Sequence, residues 1–435
     1  MPRQLHIGLS LSPTWLRGEA WRRTDSHVED LLDIDFQIKL AQQAERAKLD
    51  FIFKPDSLFL DPAGLGTSPG MTSLDPIVML AAIAQATSHI GLVATASTTF
   101  NPPYIVARQI QSLHWLSKGR AGWNIVTSLD GERNFGTGTM PSAEWRYERA
   151  AEFTDLVRRL WDSYPADALV LDRQTGQFAD NSRINPVHHR GAHFSVDGPM
   201  TMPGHPAGAP VLFQAGASPT GREFAASIAN GIFASTPDIE TSSELRSDLQ
   251  RRAIAAERAK DAVKIMPGFG FTLARTRAEA RDIAHAFQSQ QDIERRYRFI
   301  EDSLGVDLRP LPHDAPIPAG LVTTIRPGAR SHTHAQLLLR LIRTENPFIK
   351  DLLERPEASG SGHWSVIGTP EDAVTAIAEW FEAGAMDGII ALPDSLSSLD
   401  LFYEEVIPAL VERGLFRQSY SGATLASHMG IPPHF

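Results

Sequence analysis

The chain has 435 residues, of which 42% are hydrophobic and 21% are charged, and its formal net charge is -10. Acidic and basic residues are interleaved, so no basic patch indicates nucleic acid or an anionic membrane as a partner. The absence of cysteine excludes a disulfide framework, a thiolate metal site and a cysteine nucleophile, and it fits a cytoplasmic protein. No apolar run approaches the roughly 20 residues of a membrane span.

Strand-like apolar runs alternate with helical patterns through the first half of the chain. Asp75 and Pro76 illustrate how a helix begins there, with an N-cap carboxylate followed by proline at the first helical position. The predicted strands are 5–11, 51–53, 90–97 and 119–128, and the predicted helices are 33–48, 77–86, 103–117 and 145–162.

The second half repeats this alternation but contains two long interruptions. Residues 165–210, rich in proline, glycine and histidine, predict a loop excursion with a short hairpin near 194–196. Residues 275–368 predict an insertion with charged helices at 277–299 and 334–342, interpreted as a lid because its charge and prolines argue against an independent core. The remaining predicted strands are 211–216, 231–235, 264–274 and 387–392, and the remaining predicted helices begin near 220, 239, 373 and 399.

Eight strand-helix units predict a single α/β domain over residues 1–435, a (β/α)8 TIM barrel with extended loop insertions. A doubly wound open sheet is the alternative. Active sites of such barrels lie at the carboxyl ends of the strands, so the polar residues there become candidates for function. They are Ser10, Ser12, Asp56, Ser57, Thr95, Ser97, Asn124, Thr127, Ser128, Gln214 to Ser218, Ser235 and Asp394.

Most of these candidates are neutral hydrogen-bonding groups, which disfavours hydrolysis by paired carboxylates or by a metal ion. The histidine pairs at 188–189 and 332–334 fall in the excursion and the insertion, where surface loop histidines are expected. Asp56 either caps a turn or accepts a hydrogen bond from a ring N–H or a ribose-like hydroxyl.

The turn at Gly216, Ala217 and Ser218 follows a predicted strand and begins a helix. Glycine lets backbone amides approach an anion, the helix N-terminus favours negative charge, and Ser218 and Arg222 supply donors, so a phosphate fits here. A capped helix after a tight turn explains the same residues equally well.

Several segments together resemble the luciferase-like flavin monooxygenases, in particular the nitrilotriacetate, dibenzothiophene-sulfone and long-chain alkane monooxygenases. The resemblance runs nearly from end to end, so no single glycine motif carries it. Its segments are IGLVATASTTFNPPY at 90–104, GRAGWNIVTS at 119–128, RGAHFSVDGP at 190–199, QAGASPTGR at 214–222, GVDLRPLPHDAPIP at 305–318, GTPE at 368–371 and RGLFR at 413–417.

The resemblance implies an enzyme that binds FMN as FMNH2, supplied by a separate NAD(P)H-dependent flavin reductase, and that uses O2 to oxygenate a small organic substrate. It also implies a homodimer or a dimer of dimers. Carried over by position, the implied flavin contacts are Asp56, Thr95, Asn124, Tyr147 and Ser218, with Asn124 and Tyr147 also as catalytic candidates; Gly216, Ala217 and Arg222 join them from the turn.

The chain departs from the family pattern where members commonly carry histidine. It has Ala143 four residues before Tyr147, and Ser10-Leu11-Ser12 after the first strand. An acid-base role would therefore pass to the substrate, to water or to Tyr147. Two further hypotheses remain at this point: a hydride-transfer enzyme that uses deazaflavin or flavin on the same fold, and a non-catalytic flavin-binding relative.

Overall fold

The computed structural model describes residues 3–60, 62–136, 138–286, 290–318, 320–329, 331–360 and 362–432. Among these residues, no helix is both long and apolar enough to cross a membrane. The strands are β1 His6–Ser10, β2 Phe51–Lys54, β3 Gly91–Ser97, β4 Ala121–Val126, β5 Leu169–Asp172, β6 Gln177–Ala179, β7 His189–Arg190, β8 Ser195–Val196, β9 Val211–Ala215, β10 Gly231–Ala234, β11 Lys264–Leu273, β12 Trp364–Gly368 and β13 Gly388–Pro393.

Eight of these strands form a closed parallel barrel. The order around the barrel is β1, β2, β3, β4, β9, β10, β11 and β13, and β13 pairs with β1 to complete the ring. All eight predicted barrel strands are present. The prediction of a TIM barrel is confirmed, and the closure rules out the doubly wound open sheet.

Helices surround the barrel and also build the insertion. Asp75 accepts hydrogen bonds from the backbone N–H groups of Ile77 and Val78 at 2.9 and 3.0 Å, as predicted for an N-cap. The helices are α1 Ile34–Arg46, α2 Pro76–Ala86, α3 Pro103–Leu116, α4 Ala143–Asp162, α5 Pro219–Ile228, α6 Ile239–Ala255, α7 Arg277–His285, α8 Gln290–Leu304, α9 His332–Glu345, α10 Ile349–Glu354, α11 Pro370–Glu382, α12 Leu396–Leu401, α13 Ile407–Glu412 and α14 Leu425–His428.

The barrel is filled by apolar side chains, and its amino-terminal end is closed by the last helix of the chain. Leu425 and Met429, in and directly after α14, belong to the same buried cluster as Phe51, Phe213 and Met266 of the strands. A Cβ atom at Gly91 would lie 2.5 Å from Leu425 Cδ1, so the absence of a side chain at that position lets α14 pack there. The opposite, carboxyl-terminal end is left open for function.

The loop excursion contains two antiparallel hairpins. The predicted hairpin near 194–196 is confirmed, since β7 pairs with β8, whereas the β5–β6 pairing was not predicted. The peptide bond between Gly198 and Pro199 is cis.

The insertion is more ordered than its composition indicates. Its helices α8, α9 and α10 bury a hydrophobic cluster of their own, with Ile300, Leu308, Leu338, Ile349 and Leu352 fully buried. The expectation that charge and prolines would prevent such a core is wrong, because apolar residues repeat on the inner face of each helix. The helix predicted at 277–299 is instead α7 and α8, and residues 287–289 lie outside the described residues.

Arg120, in the GRAGWNIVTS segment, connects the ends of α2 and α3 to the amino-terminal end of the barrel. Arg120 is 2% exposed, and its guanidinium donates hydrogen bonds of 2.7 to 3.0 Å to Ala84, Thr87, Ile90 and Ser117. These acceptors are mostly backbone carbonyls at the ends of α2 and α3, which are left unpaired within their helices. Burial lowers the pKa of Arg120, and the hydrogen bonds compensate for its desolvation.

Replacing Arg120 with methionine is expected to lower the free energy of unfolding by about 3 kcal/mol, because several buried carbonyls would lose their donor. Urea unfolding measures this change. Arg108→Met is the matched control, since Arg108 is exposed on α3, and its effect is expected within about 0.5 kcal/mol. Equal stability of the two variants would contradict the assigned role.

Candidate functional site

A cavity of about 500 Å³ opens at the carboxyl ends of the barrel strands. It lies where the sequence placed the candidate residues, and the amino-terminal end of α9 covers one side of it. Its lining consists of Asp56, Ser57, Leu58, Thr95, Ser97, Val126, Thr127, Ser128, Leu129, Asp130, Ala143, Arg146, Tyr147, Ala215, Gly216, Ala217, Ser218, Phe233, Ser235, Ala329, Ser331, His332, Thr333, His334 and His363.

Thr95 and Asn124 form a buried polar pair at the base of the cavity. They are register partners on β3 and β4, and Asn124 Nδ2 donates a hydrogen bond of 2.9 Å to Thr95 Oγ1. Asn124 Oδ1 is buried and has no hydrogen-bond partner in the described part of the chain. A buried acceptor without a partner costs free energy, so this atom is suited to a donor that a bound molecule brings.

The residues that follow Asn124 shape the wall of the cavity. Ser128 has a left-handed backbone conformation, with φ of 47°, and its hydroxyl lies 2.7 Å from the hydroxyl of Ser97. Arg146 of α4 donates hydrogen bonds to the carbonyls of Thr127 and Ser128. These contacts fix the turn after β4, which agrees with a structural role for Thr127 and Ser128.

Tyr147 reaches across the cavity to the turn after β9. A Cβ at Gly216 or Gly221 would lie 2.9 or 2.7 Å from Tyr147 Oη, so both positions leave room for the phenol only as glycine. Burial raises the pKa of Tyr147, although hydrogen bonds with the side chains of Ser218 and Thr127 act in the opposite direction. The phenol is therefore protonated at neutral pH and available as a donor.

Ser218 is the N-cap residue of α5, which begins at Pro219. Its hydroxyl accepts a hydrogen bond from the backbone N–H of Gly221 at 3.1 Å, and Pro219 occupies the first helical position. The structure is therefore compatible with both interpretations of the turn. The helix is capped as expected, and its amino-terminal end faces the cavity, where the helix dipole favours a bound anion.

Arg222 does not line the cavity. Its Nε donates to the carbonyl of Ala217 at 2.8 Å and its Nη1 lies 3.1 Å from Asp248 Oδ2 of α6. In this arrangement the side chain stabilises the start of α5 and its packing against α6. The geometry favours a capping role over the predicted contact with a phosphate.

Asp56 lies at the opposite edge, directly after β2. Burial, followed by the negative charge of Asp75, raises its pKa, while a hydrogen bond from the Ser57 backbone and the charge of Lys54 oppose this shift. Burial also lowers the pKa of Lys54 to about 8. The Asp56 carboxyl lines the cavity and can accept a hydrogen bond there. This agrees with the interpretation in which Asp56 accepts a hydrogen bond from a ring N–H or a ribose-like hydroxyl.

Among the histidines that line the cavity, His334 comes from the insertion and His363 from the loop before β12. His334 lies 3.3 Å from the hydroxyl of Ser235, and His363 stacks on Phe233 with ring centroids 5.0 Å apart. Burial lowers the pKa of His334, and burial with the nearby charge of Arg17 lowers that of His363 to about 3. Both imidazoles are neutral at physiological pH.

Sequence reasoning missed this side of the site. The interpretation of His334 as a surface loop residue is wrong, because it lies in α9, is partly buried and lines the cavity. His332 also lines the cavity but is exposed, whereas His188 and His189 do not line it. The sequence did not predict His363 as a site residue. The strand β12, which begins directly after it, was predicted to be part of the insertion. Ala143 also lines the cavity, so the position where the family commonly carries histidine contributes only a methyl group here.

A barrel whose mouth presents mainly neutral hydrogen-bonding groups is the class of site that binds a large polar cofactor rather than a metal. Comparison with known proteins identifies the family: the luciferase-like monooxygenase model matches residues 16–387. The chain belongs to this family. This confirms the class that the sequence predicted, a flavin-dependent monooxygenase that uses reduced FMN and O2.

Individual relatives match the chain over almost its whole length. It is 35% identical to the N-acetyl-S-(2-succino)cysteine monooxygenase of Bacillus subtilis (strain 168) and 34% identical to nitrilotriacetate monooxygenase component A of Aminobacter aminovorans, with 99% of this chain and 97% of each relative covered. Among solved structures, the EDTA monooxygenase from Chelativorans sp. BNC1 is 28% identical, with a TM-score of 0.82 and 99% of both chains covered.

Ser218→Ala is expected to raise the Kd for FMN about tenfold, because the cofactor would lose a hydroxyl at the amino-terminal end of α5. Titration of the FMN fluorescence measures the Kd. The variant also loses a helix cap, worth about 1 kcal/mol of stability.

Thr276→Ala provides the control, since Thr276 caps α7 through the N–H of Glu279 but does not line the cavity. It is expected to lose similar stability with an unchanged Kd for FMN. If Ser218→Ala also left the Kd unchanged, the placement of the cofactor would be wrong.

Proposed function

We propose that the cavity binds FMNH2 through Asp56, Thr95, Asn124, Tyr147 and the turn from Gly216 to Ser218, and that it oxygenates a small organic substrate beside the flavin. The observation that carries the proposal is the convergence of these predicted positions, which come from five separate parts of the chain. Asp56, Thr95, Tyr147 and the turn line one cavity, and Asn124 is hydrogen-bonded to Thr95.

The residues present fit the chemistry of FMN. The unpartnered Asn124 Oδ1 can accept a hydrogen bond from a ring N–H of the flavin. The Tyr147 phenol and the Thr95 hydroxyl can form hydrogen bonds with the polar edge of the same ring. The amino-terminal end of α5 suits the phosphate, since partial positive charge and backbone N–H groups collect there. Arg222 is not required for this contact, because its guanidinium is held by Asp248.

Bound reduced FMN supplies the activation of O2, and the chain supplies position and protection. Water must be kept from the reacting centre, because it would divert the oxygen to peroxide. Burial lowers the pKa of His334 and His363, so both imidazoles are neutral at physiological pH and neither brings an imidazolium proton to the cavity. The insertion, with its own core and with His332 to His334 over the cavity, acts as the lid.

Reduced flavin comes from a separate NAD(P)H-dependent flavin reductase in this proposal. A relative named as component A of a monooxygenase is consistent with such a divided system. A homodimer or dimer of dimers and a cytoplasmic location stay predictions.

The overall similarity of this chain to its relatives does not identify its substrate. Relatives are named for carboxylates, such as nitrilotriacetate, and also for neutral compounds, such as dibenzothiophene sulfone and long-chain alkanes. The class of substrate must therefore be inferred from the residues of this cavity.

A reductase-coupled assay tests the proposal. With NADH, FMN, a flavin reductase and a panel of amines, thioethers, sulfones and ketones, at least one compound is expected to gain one oxygen atom, measured by mass spectrometry. Parallel reactions replace the reduced FMN with reduced deazaflavin and are expected to give no product. Peroxide as the only product from every compound, or a preference for deazaflavin, would contradict the proposal.

A further inference from the structure

His334 brings a polar side chain from the insertion to the cavity. It lies in the first turn of α9, and its backbone N–H donates a hydrogen bond of 3.4 Å to the hydroxyl of Ser331, the N-cap residue. The imidazole is half-buried and lines the cavity. Because a capped helix carries this residue, the position of its side chain is better defined than it would be on an open loop.

The imidazole of His334 is held on two edges. Its Nε2 lies 3.3 Å from Oγ of Ser235, which directly follows β10. On the neighbouring edge, a Cβ atom at Gly362 would lie 3.4 Å from Cδ2 of His334 and 3.3 Å from Cβ of Ser235. Gly362 has φ of 59°, in the left-handed region, so glycine lets the loop before β12 pass close to both side chains.

The other nitrogen of this ring is the unusual feature. Nδ1 of His334 has no hydrogen-bond partner in the part of the chain that the structure describes, and the protein does not enclose it. At His114, His363 and His428, by contrast, Nδ1 also lacks a partner but is buried. At His363, a Cβ atom at Gly268 would lie only 2.5 Å from this nitrogen. Of these four imidazoles, that of His334 is the one whose Nδ1 a molecule in the cavity can reach.

A neutral imidazole offers one hydrogen-bond donor and one acceptor. Burial lowers the pKa of His334, which keeps the ring uncharged at physiological pH. The hydroxyl of Ser235 can donate to Nε2 or accept from it, because a hydroxyl does both. Nδ1 is a donor in the first arrangement and an acceptor in the second. The pair of side chains therefore suits a neutral polar group of either kind, such as a carbonyl, a sulfonyl or a hydroxyl.

We propose that His334 determines which substrates the enzyme accepts: its Nδ1 forms a hydrogen bond with a carbonyl, sulfonyl or hydroxyl group of the substrate, while Ser235 holds the ring through Nε2. A site built around such a hydrogen bond discriminates against a molecule that lacks the polar group, because that molecule would cover Nδ1 without pairing it. This inference rests on the proposed function and names the part of the substrate that the same site recognises.

Matched probes that differ in one polar group test the inference. The full chain with saturating FMN is titrated with acetophenone and benzyl alcohol, and with isopropenylbenzene and ethylbenzene, which are hydrocarbons of the same shapes. Ligand-observed NMR measures each Kd, and the preference is the Kd of the hydrocarbon divided by that of its polar partner. His334→Phe, which keeps an aromatic ring but no nitrogen, is expected to lower this preference about tenfold for at least one pair, because one hydrogen bond to the ligand is lost.

Two further variants separate hydrogen bonding from a structural role of the ring. His334→Asn places its amide near the position of Nδ1 and is expected to retain part of the preference, whereas His334→Gln places its amide near Nε2 and is expected to lose it. His188→Phe is the matched control, because His188 is exposed in the excursion and does not line the cavity; it is expected to keep the preference within twofold. Circular dichroism and the Kd for FMN verify that each variant is folded.

The inference is overturned if the wild type binds none of the four probes, if His334→Phe keeps the preference for both pairs, or if His334→Gln retains as much of it as His334→Asn. Should His334→Phe fail to fold, the comparison of His334→Asn with His334→Gln decides the question. Failure of the wild type to bind FMN would instead refute the proposed function, and the probes would then be compared on the chain alone.

Discussion

Closure of the parallel sheet is the constraint on which the rest of this structure depends. Pairing of β13 with β1 and of β10 with β11 brings the carboxyl ends of eight strands to one mouth, while α14 fills the other end. Residues as distant in the chain as Asp56, Tyr147 and Ser218 therefore surround one cavity. The cavity does not exist without that closure, because it is assembled from loops that follow different strands.

The cavity receives side chains both from the barrel strands and from the insertion. Thr95, Asn124, Tyr147 and Ser218 offer neutral hydrogen-bonding groups on the side of β3, β4 and β9. The insertion contributes His332 and His334 to the same cavity, and the loop before β12 contributes His363. The insertion therefore adds imidazoles to a cavity whose other side consists mostly of neutral hydrogen-bonding groups.

Much of the barrel was predictable because strands buried on both faces are short apolar runs, and helix starts such as Asp75-Pro76 carry their own local signal. The remaining features depend on contacts between distant segments. The role of Arg222 is decided by Asp248 on the next helix, and His334 becomes a cavity residue only through the fold of the insertion. Similarly, β12 is a strand because it pairs with β11, although Ser365 and Ile367 are exposed.

The central claim is that this chain transfers one atom of O2 to an organic substrate. Mass spectrometry of the product formed under ¹⁸O2 in unlabelled water tests it most directly, once a substrate of the reductase-coupled reaction is in hand. The account predicts one ¹⁸O atom in each product molecule and none when only the water is labelled. A product without label from ¹⁸O2, or with oxygen derived from water, would contradict it.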